Sequence, residues 1–287
     1  MKRILVCIIV CTAMSAYGAS PTEDTQALLY KWAPTLSTAA VPIVAYIPIP
    51  EGNQPATVRT IGSAFFINRK GFFVTVAHVI DAKPPNGFLC ANVMTPSKSL
   101  SCMQFIVVEK DSDHDLALCQ IPGFITNSAG AKTSSVRRIN NPFASLDITH
   151  KEPKLGELLV LAGAPVYSTL ISIQLGIVSA LNTVYPPGVV SHNGPVKDTL
   201  SLLQVTVSAN HGDSGGPLID LTSGAVVGVL DQLIPSPLFL NGKDELSEKG
   251  FERSGIFLVI PAKWVNDLLT KNHAKSEAIR LGQITSY

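Results

Sequence analysis

The chain has 287 residues, 46% hydrophobic and 15% charged, with a formal net charge of +1. That composition excludes a disordered chain and gives enough apolar mass for a sizeable core. Near-balanced charge, with no run of one sign, excludes a polyanion-binding surface, so no nucleic-acid partner is expected.

The first stretch, "MKRILVCIIVCTAMSAYGAS", has the layout of a secretory signal. Lys2 and Arg3 form the positive n-region, Ile4 to Met14 the apolar run, and Ala16 and Gly18 the small residues before a cut. The run is short for a membrane span of about 20 residues. A cleaved signal at 1–18 and an exported protein, periplasmic or extracellular, are therefore expected, with no stable membrane insertion afterwards. Cys7 and Cys11 leave with the signal, and neither has the small preceding residue of a lipid attachment site. Cys90, Cys102 and Cys119 remain. Export permits a disulfide, Cys90–Cys102 would close a short loop, and the odd count leaves one thiol over. Cys119, in the apolar "LALCQI", reads as a buried structural residue. No C-x-x-C or H-E-x-x-H spacing occurs, so neither metal nor cofactor is expected.

Residues 19–41 form an N-terminal segment, with a short amphipathic helix expected to break near Pro34. Strand-like runs follow: "VPIVAYIPI", "GSAFFI", "FFVTVAHVI", "FIVVEK", "LALCQI", "ELLVLAGA", "TLISIQLGIVSAL", "SLLQVTVSA", "AVVGVLDQLI" and "GIFLVIP". They are short, rich in Val, Ile, Leu and Phe, and punctuated by "NRKG", "KPPNG", "YPPG", "HNGP" and "TSG". The pattern predicts an all-β barrel or sandwich. Residues 134–157 are polar and poor in strand signal, a candidate connection between two halves. The late helix "PAKWVNDLLTKN" puts Trp264, Val265, Leu268 and Leu269 on one face. Residues 271–287 read as a polar tail.

One stretch poses the chemical question. "NHGDSGGPL" places Ser214 between Gly212 and Gly216. A serine hydroxyl is a weak nucleophile at neutral pH and needs a base and oxyanion donors. Of six histidines, His78 is the candidate base, since it ends the apolar run "FFVTVAHVI". "EKDSDHDLALCQI" offers Asp111, Asp113 and Asp115 as the orienting acid. Asp115 fits best because it abuts Leu116 and Leu118, which must enter the core; Asp111, Asp113 and His114 are expected at the surface. "GDSGG" also satisfies the G-x-S-x-G elbow of α/β-hydrolases. That fold would draw on Asp231 or Asp244 and then His273, but His273 lies in a polar tail and the alternating helices are missing.

"TVAHVI", "DLAL" and "GDSGGPL", in that order, resemble the chymotrypsin-like (trypsin-fold) serine proteases. "GSAFFINRKGFFVTVAHVI", "GAPVYSTLISIQLGIVSAL" and "GIFLVIPAKWVNDLL" are most similar to the HtrA/Deg-type bacterial branch. The resemblance covers about residues 42–270. It implies an all-β fold of two six-stranded antiparallel β-barrels with the site between them, a polypeptide substrate, and a serine endopeptidase. Residue by residue, it makes Ser214 the nucleophile, His78 the general base and acid, and Asp115 its orienting carboxylate. The N–H groups of Gly212 and Ser214 match the oxyanion hole. Ser208 matches the base of the primary pocket, and Asp231, Gln232 and Leu233 the strand lining it.

The sequence departs from the branch in several places. The chain after the helix is too short for the usual peptide-binding PDZ module, so the branch's oligomeric habits do not carry over. Asp213 is the choice of enzymes in which it pairs with a newly cut amino terminus, but no matching activation site is present. His211 is atypical and reads as a solvated loop residue. Asp231 sits either near Asp115 or turned outward. A protease-fold module that binds peptides without cutting them is the competing expectation.

Overall fold

A computed structural model describes residues 22–47, 57–94, 99–122, 143–166, 168–184, 201–237, 239–240, 243–244 and 251–280. The signal at 1–18 and the first part of the expected connection, residues 134–142, lie outside them.

Helix α1 (Glu23–Ala39) starts at Thr22, whose hydroxyl accepts the Thr25 N–H at 3.3 Å, with Glu23 and Asp24 in the first turn. It runs straight through Pro34 instead of breaking there. Proline inside a helix costs about 3 kcal/mol. Tertiary anchors offset this: Leu36 and Ala39 are fully buried, and the Trp32 indole N–H donates to the Leu221 carbonyl at 2.9 Å. The Ser37 and Thr38 hydroxyls both donate back to the Pro34 carbonyl.

The N-terminal half is a seven-stranded antiparallel sheet of β1 (Ala40–Ile47), β2 (Thr57–Phe66), β3 (Phe72–Val76), β4 (Phe88–Met94), β5 (Leu100–Met103), β6 (Ile106–Asp111) and β7 (Leu116–Gln120). Their spatial order is β5-β4-β1-β2-β3-β7-β6. A single helical turn, α2 (Ala77–Asp81), follows β3. Phe65, Phe66, Phe73, Leu116 and Leu118 fill its core. β4 and β5 were not legible as strands. They carry Cys90 and Cys102, which form a disulfide across Cα atoms 5.4 Å apart. Cys119 is a buried free thiol whose pKa burial pushes up to about 12.

The C-terminal half contains β8 (Leu158–Gly163), β9 (Ser172–Thr183), β10 (Leu202–Val207), β11 (Pro217–Asp220), β12 (Val226–Pro237), a two-residue pair β13 (Phe239–Leu240) and β14 (Lys243–Asp244), and β15 (Phe251–Pro261). Six of these close into an antiparallel barrel in the order β10-β15-β12-β11-β8-β9. Leu159, Leu161, Val205, Leu218 and Val259 fill it. Helix α3 (Ala262–Arg280) leaves β15 and packs back on β6, β7 and β12. It continues well past the expected "PAKWVNDLLTKN". Between β7 and β8, residues 143–157 carry one isolated bridge, Ile148 to Val226. The all-β expectation holds, with the second half a closed six-stranded barrel and the first a half-barrel sheet.

Candidate active site

β3 stops at Val76, and α2 lifts His78 out of the sheet. The strand therefore ends two residues short of the histidine. Across from it, Asp115 adopts a left-handed backbone (φ 52°), a conformation open to aspartate at modest cost. Three bonds tie the two turns. Asp115 Oδ2 lies 2.5 Å from His78 Nδ1, Oδ1 accepts the His78 N–H at 2.9 Å, and the Asp115 carbonyl accepts the Ala77 N–H at 2.9 Å. A carboxylate on Nδ1 holds the proton there and leaves Nε2 as the acceptor. Burial pushes the imidazole pKa down. The Asp115 hydrogen bond and charge, with the charges of Asp231 and Asp81, outweigh that and hold it above the usual 6.5.

The neighbouring acids behave differently from one another. Asp113 is exposed, as expected. Asp111 and His114 are not solvated: their side chains are only 12% and 14% exposed. The Asp111 carboxylate accepts the N–H groups of Asp113 and His114 and faces His114 Nδ1 at 2.8 Å. The His114 ring stacks on Trp264 with centroids 4.0 Å apart. The correction follows from α3, which packs on β6 and β7 and shields His114 and Asp111 while Asp113 stays exposed.

The Ser214 loop is built from backbone. The Asn210 N–H donates to Asp213 Oδ2 at 2.7 Å and the Asp213 N–H returns to the Asn210 carbonyl at 3.1 Å. The fully buried Asp213 thus has a partner in its own loop. Gly212 and Gly215 have φ of +96° and +86°. A Cβ on Gly212 would come within 2.4 Å of the Ala164 carbonyl, and one on Gly215 within 2.1 Å of the Ser63 carbonyl. Glycine is needed at both. The Gly215 N–H donates to Leu230, Gly216 to Asp213, and the Leu230 N–H to Gly216. Among the described residues, the N–H groups of Gly212 and Ser214 donate to no protein group. Ser214 itself is half-buried, while His211 and Ser208 are exposed.

Two buried hydroxyls, not singled out from sequence, join this loop to the N-terminal sheet. Ser63 donates its hydroxyl to the Gly212 carbonyl (2.7 Å) and accepts the Ala164 N–H (2.8 Å). Its own N–H donates to the Ser214 carbonyl at 2.7 Å. The Thr75 hydroxyl donates to the Ser63 carbonyl at 2.7 Å. Their only signal is a lone hydroxyl inside each of the apolar runs "GSAFFI" and "FFVTV".

Leu230, bonded to Gly215, brings the next residue of β12 to the histidine. Asp231 is turned inward, 2% exposed, with Oδ1 4.0 Å from His78 Nδ1. Gln232 is half-buried, with its Nε2 enclosed. Leu233 is placed only by its pairing with Phe257; its side chain lies outside the described set. Ligand-type atoms of His78, Asp115 and Asp231 lie within 4.8 Å of one another. The 2.5 Å Nδ1–Oδ2 spacing is that of a proton-filled hydrogen bond, with no room for a cation between the two atoms.

Comparison with known proteins gives the family. The profile of the family described as "Trypsin-like peptidase domain" matches residues 62–229, more than half of the chain. A "Probable periplasmic serine endoprotease DegP-like" of Pseudomonas putida (strain GB-1) is 28% identical over 186 residues, covering 64% of this chain and 31% of the relative. The protein of that description in Halomonas elongata is 25% identical over 189 residues, covering 65% and 33%. The one in Rhizobium meliloti (strain 1021) is 29% identical over 181 residues, covering 63% and 29%. The matched stretch spans about a third of the length of these curated relatives. Among the described residues, no helix is long and apolar enough to cross a membrane.

Proposed function

The chain belongs to the trypsin-like peptidase family, and on that premise we propose that it is an exported serine endopeptidase acting through His78, Asp115 and Ser214. The observation that carries this reading is the His78–Asp115 pair, held at 2.5 Å, together with a glycine turn whose Gly212 and Ser214 N–H groups donate to no group among the described residues. Ser214 Oγ attacks the scissile carbonyl as His78 Nε2 takes its proton. Asp115 stabilises the imidazolium that forms. The Gly212 and Ser214 N–H groups receive the oxyanion, each donor worth about 3 kcal/mol of transition-state stabilisation. His78 then protonates the leaving amine. Water, activated by the same imidazole, hydrolyses the acyl-enzyme.

Below the raised His78 pKa the ring is already protonated and accepts nothing, so activity rises with pH through that value. Ser208 gives the primary pocket an uncharged base, and with Gln232 and Leu233 beside it the preferred side chain is small or aliphatic. Asp213 Oδ2 accepts the Asn210 N–H, an internal tie that orders the loop without a newly cut amino terminus. The relatives named periplasmic support an exported location.

The test is labelling by a fluorophosphonate probe. Wild type is expected to label, and Ser214→Ala and His78→Ala are expected not to. Folded wild type that takes no label at Ser214 would leave a peptide-binding module as the better account.

A further inference from the structure

The His78–Asp115 pair needs one carboxylate, yet a second one is buried against it. We propose that Asp231 is a positioning residue for His78, holding the imidazole from the β12 side and stabilising its charged form together with Asp115. This deepens the triad reading above and rests on it.

The first observation is backbone geometry. Along β12, Leu230 pairs with Val259 and Gln232 with Leu258, so Asp231 is the extra residue of a β-bulge. In a regular strand, successive side chains point to opposite faces. In β12 both faces are covered: Val229, Leu230 and Asp231 are all buried, the last at 2% exposed. A bulge of this kind re-aims a side chain, and bulges gather beside active sites. Here the bulge falls at the one residue of this stretch whose buried side chain is a carboxylate.

The second is what that carboxylate meets. Its Oδ1 stands 4.0 Å from His78 Nδ1, beyond hydrogen-bond range but well inside the range of strong charge attraction. A buried acid is costly unless it faces a cation. Three acids face the ring: Asp115 from the turn before β7, Asp231 from β12, and Asp81 from its own helical turn. Asp81 is partly exposed and answered by Lys110 at 2.6 Å. That leaves Asp115 and Asp231 as the buried pair.

Two consequences separate this role from mere packing. The imidazolium formed during proton transfer gains a second counter-charge, so Asp231 raises the rate on the alkaline plateau. The neutral base is reached only at higher pH, so Asp231 also moves the acid limb of the profile upward.

The experiment compares fluorophosphonate labelling rates of Ser214 from about pH 5 to about pH 10 in wild type, Asp231→Asn and Asp231→Ser. Both variants should show a lower plateau and a limb midpoint lower by about one pH unit. One unit below the wild-type midpoint, each would then label about fivefold faster relative to its own plateau. A midpoint that stays put or moves up in folded variants overturns the proposal. NMR titration of the His78 ring in the same proteins reads the shift without chemistry. It decides the role of Asp231 even if Ser214 never labels, an outcome that instead removes the nucleophile. Should both variants fail to fold, the wild-type ring still decides. Its midpoint must lie above the free-histidine value of about 6.5, and one at or below it overturns the proposal.

Discussion

The two halves of the candidate site are made of different material. On the N-terminal sheet, His78 and Asp115 are held by side-chain bonds between two adjacent turns. In the C-terminal barrel, the Ser214 loop is held by peptide groups and by glycines with φ near +90°. Ser63 and Thr75 splice the two together. The first half is therefore sensitive to chemistry and tolerant of backbone change nearby. The second half is the reverse.

The sharpest way to break that comparison is Asp115→Asn. The amide fills the same volume but favours the wrong imidazole tautomer, and kcat/KM should fall about 10⁴-fold with little change in Tm. The exposed Asp113→Asn should change kcat/KM less than twofold, about the level of an ordinary surface substitution. Equal losses would mean Asp115 is not the orienting acid.

Gly215→Ala attacks the other half. The new Cβ would sit 2.1 Å from the Ser63 carbonyl at a φ of +86°, so backbone must move. The expected cost is about 3 kcal/mol or more, read by denaturant unfolding, with labelling lost alongside. Activity lost without any loss of stability would contradict a backbone-built nucleophile loop.

Ser63→Ala tests the splice. It strands the Gly212 carbonyl and the Ala164 N–H in a fully buried site, at about 1–3 kcal/mol. Because Gly212 carries a proposed oxyanion donor, kcat should fall more than KM rises. A KM effect alone would place Ser63 with substrate binding.

The pH dependence sharpens the comparison from the side of charge. The His78 pKa is raised on folding. Its contribution to stability is therefore complete below the free-histidine value and lost as pH rises through the folded one. Activity changes the opposite way across that window. Thermal unfolding and labelling rate, followed over the same pH series, should move in opposition; parallel changes would mean His78 is not the titrating group.

The sequence carried the chemistry further than the geometry. His78 and Asp115 stood out because they border apolar runs whose residues must be buried, Ser214 because it stands among glycines; the structure brings His78 and Asp115 together. The all-β class was legible from the strand-like runs; the barrels came only with the resemblance. β4 and β5 escaped because "FLCANVM" and "LSCM" are short and broken by polar residues, although their cysteines marked the pairing. The burial of His114 and Asp111 escaped because it depends on α3, some 150 positions later in the chain. The one-residue bulge at Asp231 escaped because no local periodicity announces it. Pro34 misled for the same reason: a local rule was overridden by contacts from residues distant in sequence.

Trp32→Phe gives the smallest effect and tests how far α1 matters to the site. Trp32 stands over Gly224, whose φ is +76° and where any Cβ would come within 2.2 Å of the ring. Its indole N–H is the donor to Leu221 in the turn between β11 and β12. Phenylalanine keeps most of the apolar contact and removes that donor. The loss should be about 1 kcal/mol, or roughly 2–4 °C in Tm for a domain of this size. kcat/KM should not change, because the Ser214 loop is bonded to β2 and β12, not to α1. If kcat/KM falls severalfold while Tm moves only by that amount, α1 acts on the site through the β11–β12 turn. The division into two halves would then need a third member: a helix that leads into the N-terminal sheet and steadies the barrel carrying Ser214.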